Sequence, residues 1–330
     1  MTNRARCVPH PSPLSASGER EGPARREGWS SVWSASATVA ISRFGPTLRL
    51  ALLLVLMASG SVRAQESTQD HAAGARAQQS IQDLAVAAQN PIAAMYSLPF
   101  QNNIYGGVGP QHDATANVLN IQPVIPFTAG DWNIISRTIA PLIYLPSLST
   151  GPSEITEQSL FSGSHFGLGD INQTFFFSPA KAAELIWGVG PSFNLPTATA
   201  TPLGSAKFSM GPSAIALTTP KPWVIGTLAR QLWSVKGPSN RPDVSQFLLQ
   251  PFVNYNMEEG WYLSSSPIIT ANWLAPSNKW ALPIGAGIGK IFRIGDQPIN
   301  ASLQAFDYVL SPTGGPRWAV RAYLVFLFPR

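Results

Sequence analysis

After residue 65, apolar and polar residues alternate with a period of two, which is the pattern of strands that have one apolar face. Residues 246–257 give an example, with apolar side chains on one face and amides on the other: Phe247, Leu249 and Val253 against Gln246, Gln250 and Asn254. No apolar run after residue 65 reaches the roughly 18 residues that a membrane-spanning helix requires. The alternation therefore predicts an all-β fold.

Twelve such segments follow one another along the chain. They span residues 96–108, 115–127, 132–145, 164–177, 185–197, 206–218, 223–235, 244–257, 261–273, 279–292, 297–309 and 317–328. Short turns alternate with longer loops rich in Ser, Pro, Gly and Thr, which is typical of an outer-membrane barrel with its short turns in the periplasm. We therefore expect an antiparallel transmembrane β-barrel of about 12 strands, preceded by a short N-terminal helix, with both chain ends on the periplasmic side.

The eight tryptophans after residue 65 all lie at predicted strand ends. Four follow short turns and four adjoin longer loops: Trp132, Trp187, Trp223 and Trp261 in the first group, Trp233, Trp273, Trp280 and Trp318 in the second. Tryptophan concentrates at both membrane–water interfaces, so two aromatic girdles explain this distribution. The alternative is a soluble β-sandwich, which would place several tryptophans in mid-strand.

Residues 1–64 have the features of a leader. The apolar run 50–58 follows Arg43 and Arg49 and precedes Val62-Arg63-Ala64, which is the arrangement of a secretory signal with its cleavage site. A buried core helix is the alternative for this run. The residues before Val39 show no periodicity, and we interpret them as the product of a mis-assigned start codon.

The leader also contains the charge imbalance and the only cysteine. Eight Arg and three Glu in residues 1–64 account for the net charge of +5, because residues 65–330 carry fourteen basic and fourteen acidic side chains. A neutral chain without a basic run lacks the electrostatic footprint of nucleic-acid binding. With Cys7 in the leader, the exported chain can form no disulfide, cysteine metal site or lipid anchor.

Residues 65–95 predict an N-terminal periplasmic helix that plugs or caps the barrel at 96–330. Ser80 and Asp83 resemble a capping box, and Pro91 ends the helix. One apolar stripe lies between them: Ile81, Leu84, Ala85 and Ala88. Packing outside the barrel and fraying are the alternatives.

Seven prolines fall inside the predicted strands, and each removes a ladder donor: Pro123, Pro141, Pro191, Pro212, Pro251, Pro267 and Pro283. A closed barrel has no edge strand to accommodate them. We therefore expect bulges or breaks in these strands, with Pro123, Pro191, Pro251 and Pro267 facing lipid because they share the apolar parity.

Enzyme motifs are weak or absent. Gly285-Ala-Gly-Ile-Gly-Lys290 imitates a phosphate loop but lacks its spacing and its hydroxyl residue. His71, His112 and His165 have no metal-ligand spacing, and no G-x-S-x-G supports the alternative of a membrane-embedded hydrolase. The sequence predicts no catalytic residue, no metal and no cofactor.

Several segments resemble an outer-membrane family named for the "MetA pathway of phenol degradation", whose members are catalogued as transporters or as neuromedin U. The first is the G-x-G-D strand Phe166-Gly-Leu-Gly-Asp-Ile-Asn-Gln-Thr-Phe-Phe-Phe-Ser-Pro179. The others are Leu119-Asn-Ile-Gln-Pro-Val-Ile-Pro126, Trp187-Gly-Val-Gly-Pro191, Leu249-Gln-Pro-Phe-Val-Asn-Tyr255 and Gly287-Ile-Gly-Lys-Ile-Phe292. The resemblance spans residues 80–330 and implies an outer-membrane β-barrel with a transport role. It carries over no catalytic or binding residues, and the ending Phe328-Pro329-Arg330 departs from the usual terminal aromatic of such barrels.

The alternation along the strands places the polar residues on the face that points into the lumen. The candidates for lining it and setting selectivity are Arg137, Asp170, Asn172, Gln246, Gln250, Asn254, Arg317 and Arg321. Our hypothesis is that Arg137, Arg317 and Arg321 face Asp170 and set ion preference at a constriction. A purely structural ion-pair network is the alternative.

The predicted function is passive or facilitated transport of small solutes across the outer membrane of a Gram-negative bacterium. Barrels of eight strands fill their interior with side chains, and barrels of about sixteen enclose an open aqueous channel. A 12-stranded barrel is therefore expected to have a narrow or gated path. A non-transporting barrel with a structural or surface-interaction role is the alternative. The expected partners are outer-membrane lipid, a small solute and the barrel-assembly machinery, and no nucleic acid.

Overall fold

The computed structural model describes residues 81–150, 159–161, 163–181 and 183–329. The predicted signal at 1–64 and residues 65–80, including His71 and Ser80, lie outside the described residues. The described part starts with an α-helix, α1, at residues 81–88. Its strands are β1 Tyr96–Val108, β2 Ala114–Ile121, β3 Val124–Ala129, β4 Trp132–Leu145, β5 Leu148–Thr150, β6 Ser159–Phe161, β7 His165–Leu168, β8 Ile171–Pro179, β9 Leu185–Leu195, β10 Phe208–Thr218, β11 Trp223–Lys236, β12 Ser245–Asn256, β13 Trp261–Ser265, β14 Ile269–Asn272, β15 Trp280–Ile294, β16 Gln297–Leu310 and β17 Trp318–Phe328.

The strands form a closed antiparallel barrel of 12 strands, which confirms the predicted fold class. Three barrel strands consist of two segments each, namely β2 with β3, β7 with β8 and β13 with β14. The ring closes where β1 pairs with β17, from Tyr96 opposite Phe328 to Gly106 opposite Trp318. The short strands β5 and β6 pair with each other outside the barrel sheet.

The connections distinguish two ends of the barrel. The links that follow β3, β8, β10, β12 and β15 are short, and we call that end the turn end. The links that follow β1, β4, β9, β11, β14 and β16 form the loop end. Tyr96 and Phe328, which begin and end the barrel, both lie at the turn end.

Four of the strand prolines lie at or opposite breaks in the strands. Pro123 and Pro267 occupy the breaks between β2 and β3 and between β13 and β14. Pro251 on β12 lies opposite the second of these breaks, and Pro141 on β4 lies opposite the break between β7 and β8. A missing N–H donor costs little at these positions because the partner strand is interrupted there.

The other three prolines lie at irregular ladder positions. Pro283 adjoins a register shift between β15 and β16. Pro191 and Pro212 are directly opposite each other on β9 and β10, and the ladders on their other sides skip pairs there. The barrel therefore uses both breaks and bulges to accommodate its prolines.

The inner face of the strands contains many buried polar side chains, unlike the core of a soluble β-protein. On β8, Asn172, Thr174 and Ser178 are buried, whereas Phe177 between them is 39% exposed. The outer face has many exposed apolar side chains, among them Phe127, Leu185, Val189, Val235, Leu263, Ile284 and Val309. Polar side chains buried beside apolar clusters on the inner face, with an apolar exterior, are the arrangement of a lipid-embedded barrel and not of a β-sandwich.

The helix α1 packs inside the turn end of the barrel. Ala85 is 2% exposed and contacts Tyr262 and Ile291, whose side chains point inward from β13 and β15. In the described part of the chain, no helix is both long and apolar enough to cross a membrane.

Candidate functional site: the barrel lumen

The larger interior cavity lies toward the loop end and has a volume of about 280 Å³. Its lining comes from strands around the circumference, including β1, β2, β4, β9, β11 and β12. Polar side chains and aliphatic side chains both contribute, for example Asn120, Arg137 and Gln246 together with Ile139, Leu232 and Leu248. A mixed lining of this kind suits a small organic solute better than a bare ion.

A second cavity of about 140 Å³ lies on the turn side, between α1 and the barrel wall. Gln89 and Met95 line it from the N-terminal segment, and Asn300, Arg321 and Tyr323 line it from the strands. We call these two spaces the loop-side cavity and the turn-side cavity.

The N-terminal segment fills the rest of the lumen at the turn end. After α1, Ile92 is 3% exposed and packs with Phe176 and Ile215. Met95 packs against Val325 and Leu327 of β17. At the helix itself, Asp83 forms a 3.0 Å ion pair with Lys221 in the β10–β11 turn.

Five residues line both cavities and therefore mark the boundary between them: Gln101, Gln122, Arg137, Leu228 and Gln250. We call this set the lumen ring. Four of its members are polar, so a solute moving between the two cavities passes amide and guanidinium groups.

A chain of hydrogen bonds fixes three of the five residues of the lumen ring. Arg137 Nη2 donates to Gln122 Oε1 at 2.6 Å, and Gln122 Nε2 donates to Gln101 Oε1 at 3.4 Å. Gln101 Nε2 then donates to Asn103 Oδ1 at 3.3 Å. The side chains are thereby held in one arrangement.

The same chain continues to a second arginine. Arg321 Nε donates to Asn103 Oδ1 at 2.9 Å, and Arg321 Nη1 donates to the Ser266 carbonyl at 2.7 Å, in the break between β13 and β14. Ser266 Oγ donates to Gln304 Oε1 at 2.9 Å. Arg137 and Arg321 are therefore positioned by neutral amides and a carbonyl oxygen along this chain.

Asp170 has other partners than those arginines. Its carboxylate accepts hydrogen bonds from Ser205 N and Ser205 Oγ, both at 2.7 Å, and from Ala198 N at 3.2 Å. Asn194 Nδ2 lies at 3.5 Å. Asp170 and Arg137 line the same cavity, but the contacts of Asp170 attach the β9–β10 loop to the inner wall.

The β9–β10 loop, residues 196–207, folds into the lumen at the loop end. Leu203 in its short 3-10 turn is 1% exposed and packs with Tyr105, Ile143 and Phe306. Arg241 donates to carbonyl oxygens of this loop, among them that of Ser205 at 3.2 Å. Sequence reasoning identified this segment only as a longer loop, because an inserted loop carries no periodic signal.

Arg230 on β11 is a lumen residue that the sequence analysis missed. It lines the loop-side cavity and pairs in register with Leu248 of β12. The sequence signal for its inward position is a single charged residue in the middle of a predicted strand, since such a charge is costly on the lipid face.

The remaining candidates lie in different parts of the lumen. Asn172 and Gln246 line the loop-side cavity, and Asn254 lines the turn-side cavity. Gln250 belongs to the lumen ring. Arg317 is exposed at the loop end and lines neither cavity.

The eight tryptophans are found at the two ends of the barrel, six of them more than a third exposed. At the turn end, Trp132 and Trp187 pack edge-to-face with ring centroids 6.2 Å apart. At the loop end, Trp273 and Trp280 do the same at 5.4 Å. Trp261 stacks under Lys290, whose Nζ lies 4.6 Å from the ring centroid.

Comparisons with known proteins support the fold. No model of a known protein family and no curated protein matches the sequence. An outer-membrane channel from Pseudomonas putida F1 is similar in structure, with 16% identity, 71% of this chain and 94% of that chain covered, and a TM-score of 0.53.

Two other barrels are more distant. The NanC porin has 10% identity, with 71% of this chain and 99% of that chain covered, at a TM-score of 0.42. The Pseudomonas putida toluene transporter TodX has 10% identity, with 74% of this chain and 93% of that chain covered, at a TM-score of 0.38. At these identities, the likeness concerns the barrel fold alone.

Proposed function

We propose that the protein is an outer-membrane channel that lets small solutes cross by passive or facilitated diffusion. The observation that carries this proposal is the pair of cavities, lined by polar and aliphatic side chains, that meet at the lumen ring inside a closed barrel. A barrel that served only as a scaffold could fill its interior with apolar side chains. The similar barrel from Pseudomonas putida F1 is an outer-membrane channel, which agrees with the proposal.

The proposal places the barrel in the outer membrane of a Gram-negative bacterium. Lipid would contact the exposed apolar band, and the two groups of tryptophans would lie at the membrane–water boundaries as aromatic girdles. The signal at 1–64 would direct export, and the barrel-assembly machinery would insert the protein. The family named for the MetA pathway of phenol degradation is the membership we propose, and the proposal assigns no catalytic role.

We further propose that α1 acts as a plug at the periplasmic end. Buried contacts of Ala85 and Ile92 with the inner wall support this role, because a segment so packed obstructs the turn end. The same packing also favours the second candidate function, a barrel that does not transport and uses its lumen only to hold the N-terminal segment.

Planar-bilayer conductance separates the two functions. The full chain, expressed in a Gram-negative host and purified from its outer membrane, is compared with a variant lacking residues 81–95. Current steps from both proteins would establish an open channel, and steps only from the deletion variant would establish a plugged one. Silence from both, when heat-modifiable mobility on gels shows that both are folded, would contradict the channel and leave the non-transporting barrel.

A further inference from the structure

We propose that the loop-side cavity binds a small organic carboxylate, with the guanidinium of Arg230 as its main ligand. This inference rests on the proposed channel function, since it names the class of solute that the lumen accepts. It is carried by three features of the cavity: an unpaired cation, a positive charge balance and an apolar wall beside the cation.

The first feature is the state of Arg230. Its side chain lines the cavity from the middle of β11, and within the described chain it makes no hydrogen bond or ion pair. The other lumen arginines differ, because Arg137 donates to Gln122 and Arg321 donates to Asn103. A guanidinium carries five donors in a planar fork that matches a carboxylate, so an anion in the cavity would satisfy Arg230.

The second feature is the charge around Arg230. Arg137 lines the same cavity, and the two positive charges repel each other. The acidic side chain in this lining is Asp170, whose carboxylate already accepts hydrogen bonds from Ser205 and Ala198. A bound anion would relieve the repulsion between the two arginines, and a cation would increase it.

The third feature decides what kind of anion fits. Aliphatic side chains lie next to Arg230 in the lining, namely Leu228, Leu232 and Leu248, and Ile139 faces the same space. Inorganic phosphate would leave these groups in contact with a strongly hydrated ion. An organic anion can instead place its carboxylate on Arg230 and its apolar body against the leucines.

The size of the cavity limits the ligand to a small one. A volume of about 280 Å³ is at the lower limit for pockets that take drug-sized molecules, so one ring with one carboxylate is a suitable probe. Gln250 and Asn120 also line the cavity, and no side-chain hydrogen bond involves their amides in the described residues. They would supply further donors to the carboxylate.

The test is calorimetric binding of benzoate to the full-chain protein in detergent, with benzamide as the neutral isostere and inorganic phosphate as the alternative anion. We expect saturable benzoate binding and roughly tenfold weaker binding, or none, for both benzamide and phosphate. Arg230→Gln should weaken benzoate binding by roughly tenfold or more, because a charge-assisted fork is lost. Arg230→Lys should fall between the two, since it keeps the charge and loses the fork.

One further variant tests the site from the opposite strand, and another controls for a general effect of charge. Leu248→Glu keeps Arg230 and places a carboxylate at the residue paired with it in register, so it should abolish benzoate binding by satisfying the guanidinium internally. Arg293→Gln removes an exposed cation of the same type near the end of β15, where it donates to the Asp296 carbonyl, and should leave binding unchanged. Heat-modifiable mobility identifies the folded fraction of each variant.

The inference is overturned if benzoate does not bind the folded wild type, if Arg230→Gln binds it as tightly as the wild type, or if benzamide or phosphate binds equally well. These outcomes are independent of conductance. A protein that conducts but does not bind benzoate would keep its channel function and lose this inference. A protein that binds benzoate and never conducts, even without residues 81–95, would lose the channel function instead.

Discussion

Gln89, which directly follows α1, and Asn256 at the end of β12 exchange two side-chain hydrogen bonds. Gln89 Nε2 donates to Asn256 Oδ1 at 2.8 Å, and Asn256 Nδ2 donates to Gln89 Oε1 at 3.3 Å. Gln89 is only 9% exposed, so breaking this pair leaves an amide without a partner in a confined space. The pair is therefore a specific attachment between the N-terminal segment and the barrel wall.

Replacing Gln89 by Ala should loosen α1 from the lumen. The loss of two hydrogen bonds at a buried site is expected to cost about 1–3 kcal/mol of docking free energy. In single-channel recordings the variant should open more often than the wild type. Adding Asn256→Ala should change little more, because the two residues act as one pair. Equal opening frequencies in the wild type and in Gln89→Ala would exclude α1 as the gate.

Gly204 is expected to control how deeply the β9–β10 loop enters the lumen. A Cβ atom there would overlap Asp170 Oδ1 and lie 2.5 Å from the Ala198 Cβ, so Gly204→Ala must shift the loop and its contact with Asp170. We expect a larger conductance step or greater current noise than in the wild type, with the barrel still folded. Ser277→Thr is the control, since it also adds one methyl group but at an exposed residue of the β14–β15 loop. Identical currents in all three proteins would show that this loop does not limit the path.

The pair of Lys207 and Asp243 predicts a pH dependence at the loop end. Hydrogen bonds from Lys207 and Ser234, together with the charge of Lys207, lower the pKa of the Asp243 carboxyl. Because the folded pKa lies below the unfolded one, the pair stabilises the fold above the unfolded pKa, and this contribution is lost as the pH falls through the folded pKa. The difference in melting temperature between the wild type and Asp243→Asn should be present at about pH 6 and decrease as the pH falls below about 4. A difference that stayed constant across this range would contradict the assignment.

Quenching by brominated lipids should locate the tryptophans in the bilayer. Bromine near the lipid headgroup should quench the fluorescence of the wild type more strongly than bromine at the end of the acyl chain, because girdle residues lie at the interface. The control is Ala229→Trp, since Ala229 is in the middle of β11 on the face opposite to Leu228 and Arg230. In a variant whose other exposed tryptophans are Phe, this residue should show the reverse depth preference. Equal quenching at both depths would argue against girdles.

Local patterning was sufficient to predict the barrel. The alternation in 246–257 and the turns before Trp132 and Trp223 depend only on neighbouring residues, and the structure has strands and turns at those positions. The prolines were recognised as ladder defects, but breaks and bulges could not be distinguished. The break opposite Pro251 depends on β13 and β14, so it is a property of two strands and not of one.

The lumen was harder to predict because its chemistry is set across strands. Parity identified Arg137 and Arg321 as candidates, and both line the cavities. It could not indicate that Asp170 bonds to Ser205, since that contact depends on a loop folding inward. Arg230 lies on the inner face, as its parity with Leu228 and Leu232 indicates. That its side chain has no partner among the described residues is visible only in the structure, because partners would come from neighbouring strands.

The pairing of β1 with β17 also determines the order in which the molecule can assemble. Tyr96 and Phe328 lie at opposite ends of the barrel sequence, so this seam can form only after the last strand has been synthesised. The segment containing Ala85 and Ile92 precedes β1 and ends up surrounded by strands that follow it. It must therefore be enclosed as the seam forms or enter afterwards through the turn end, and either route makes the enclosure of the N-terminal segment a late step in folding.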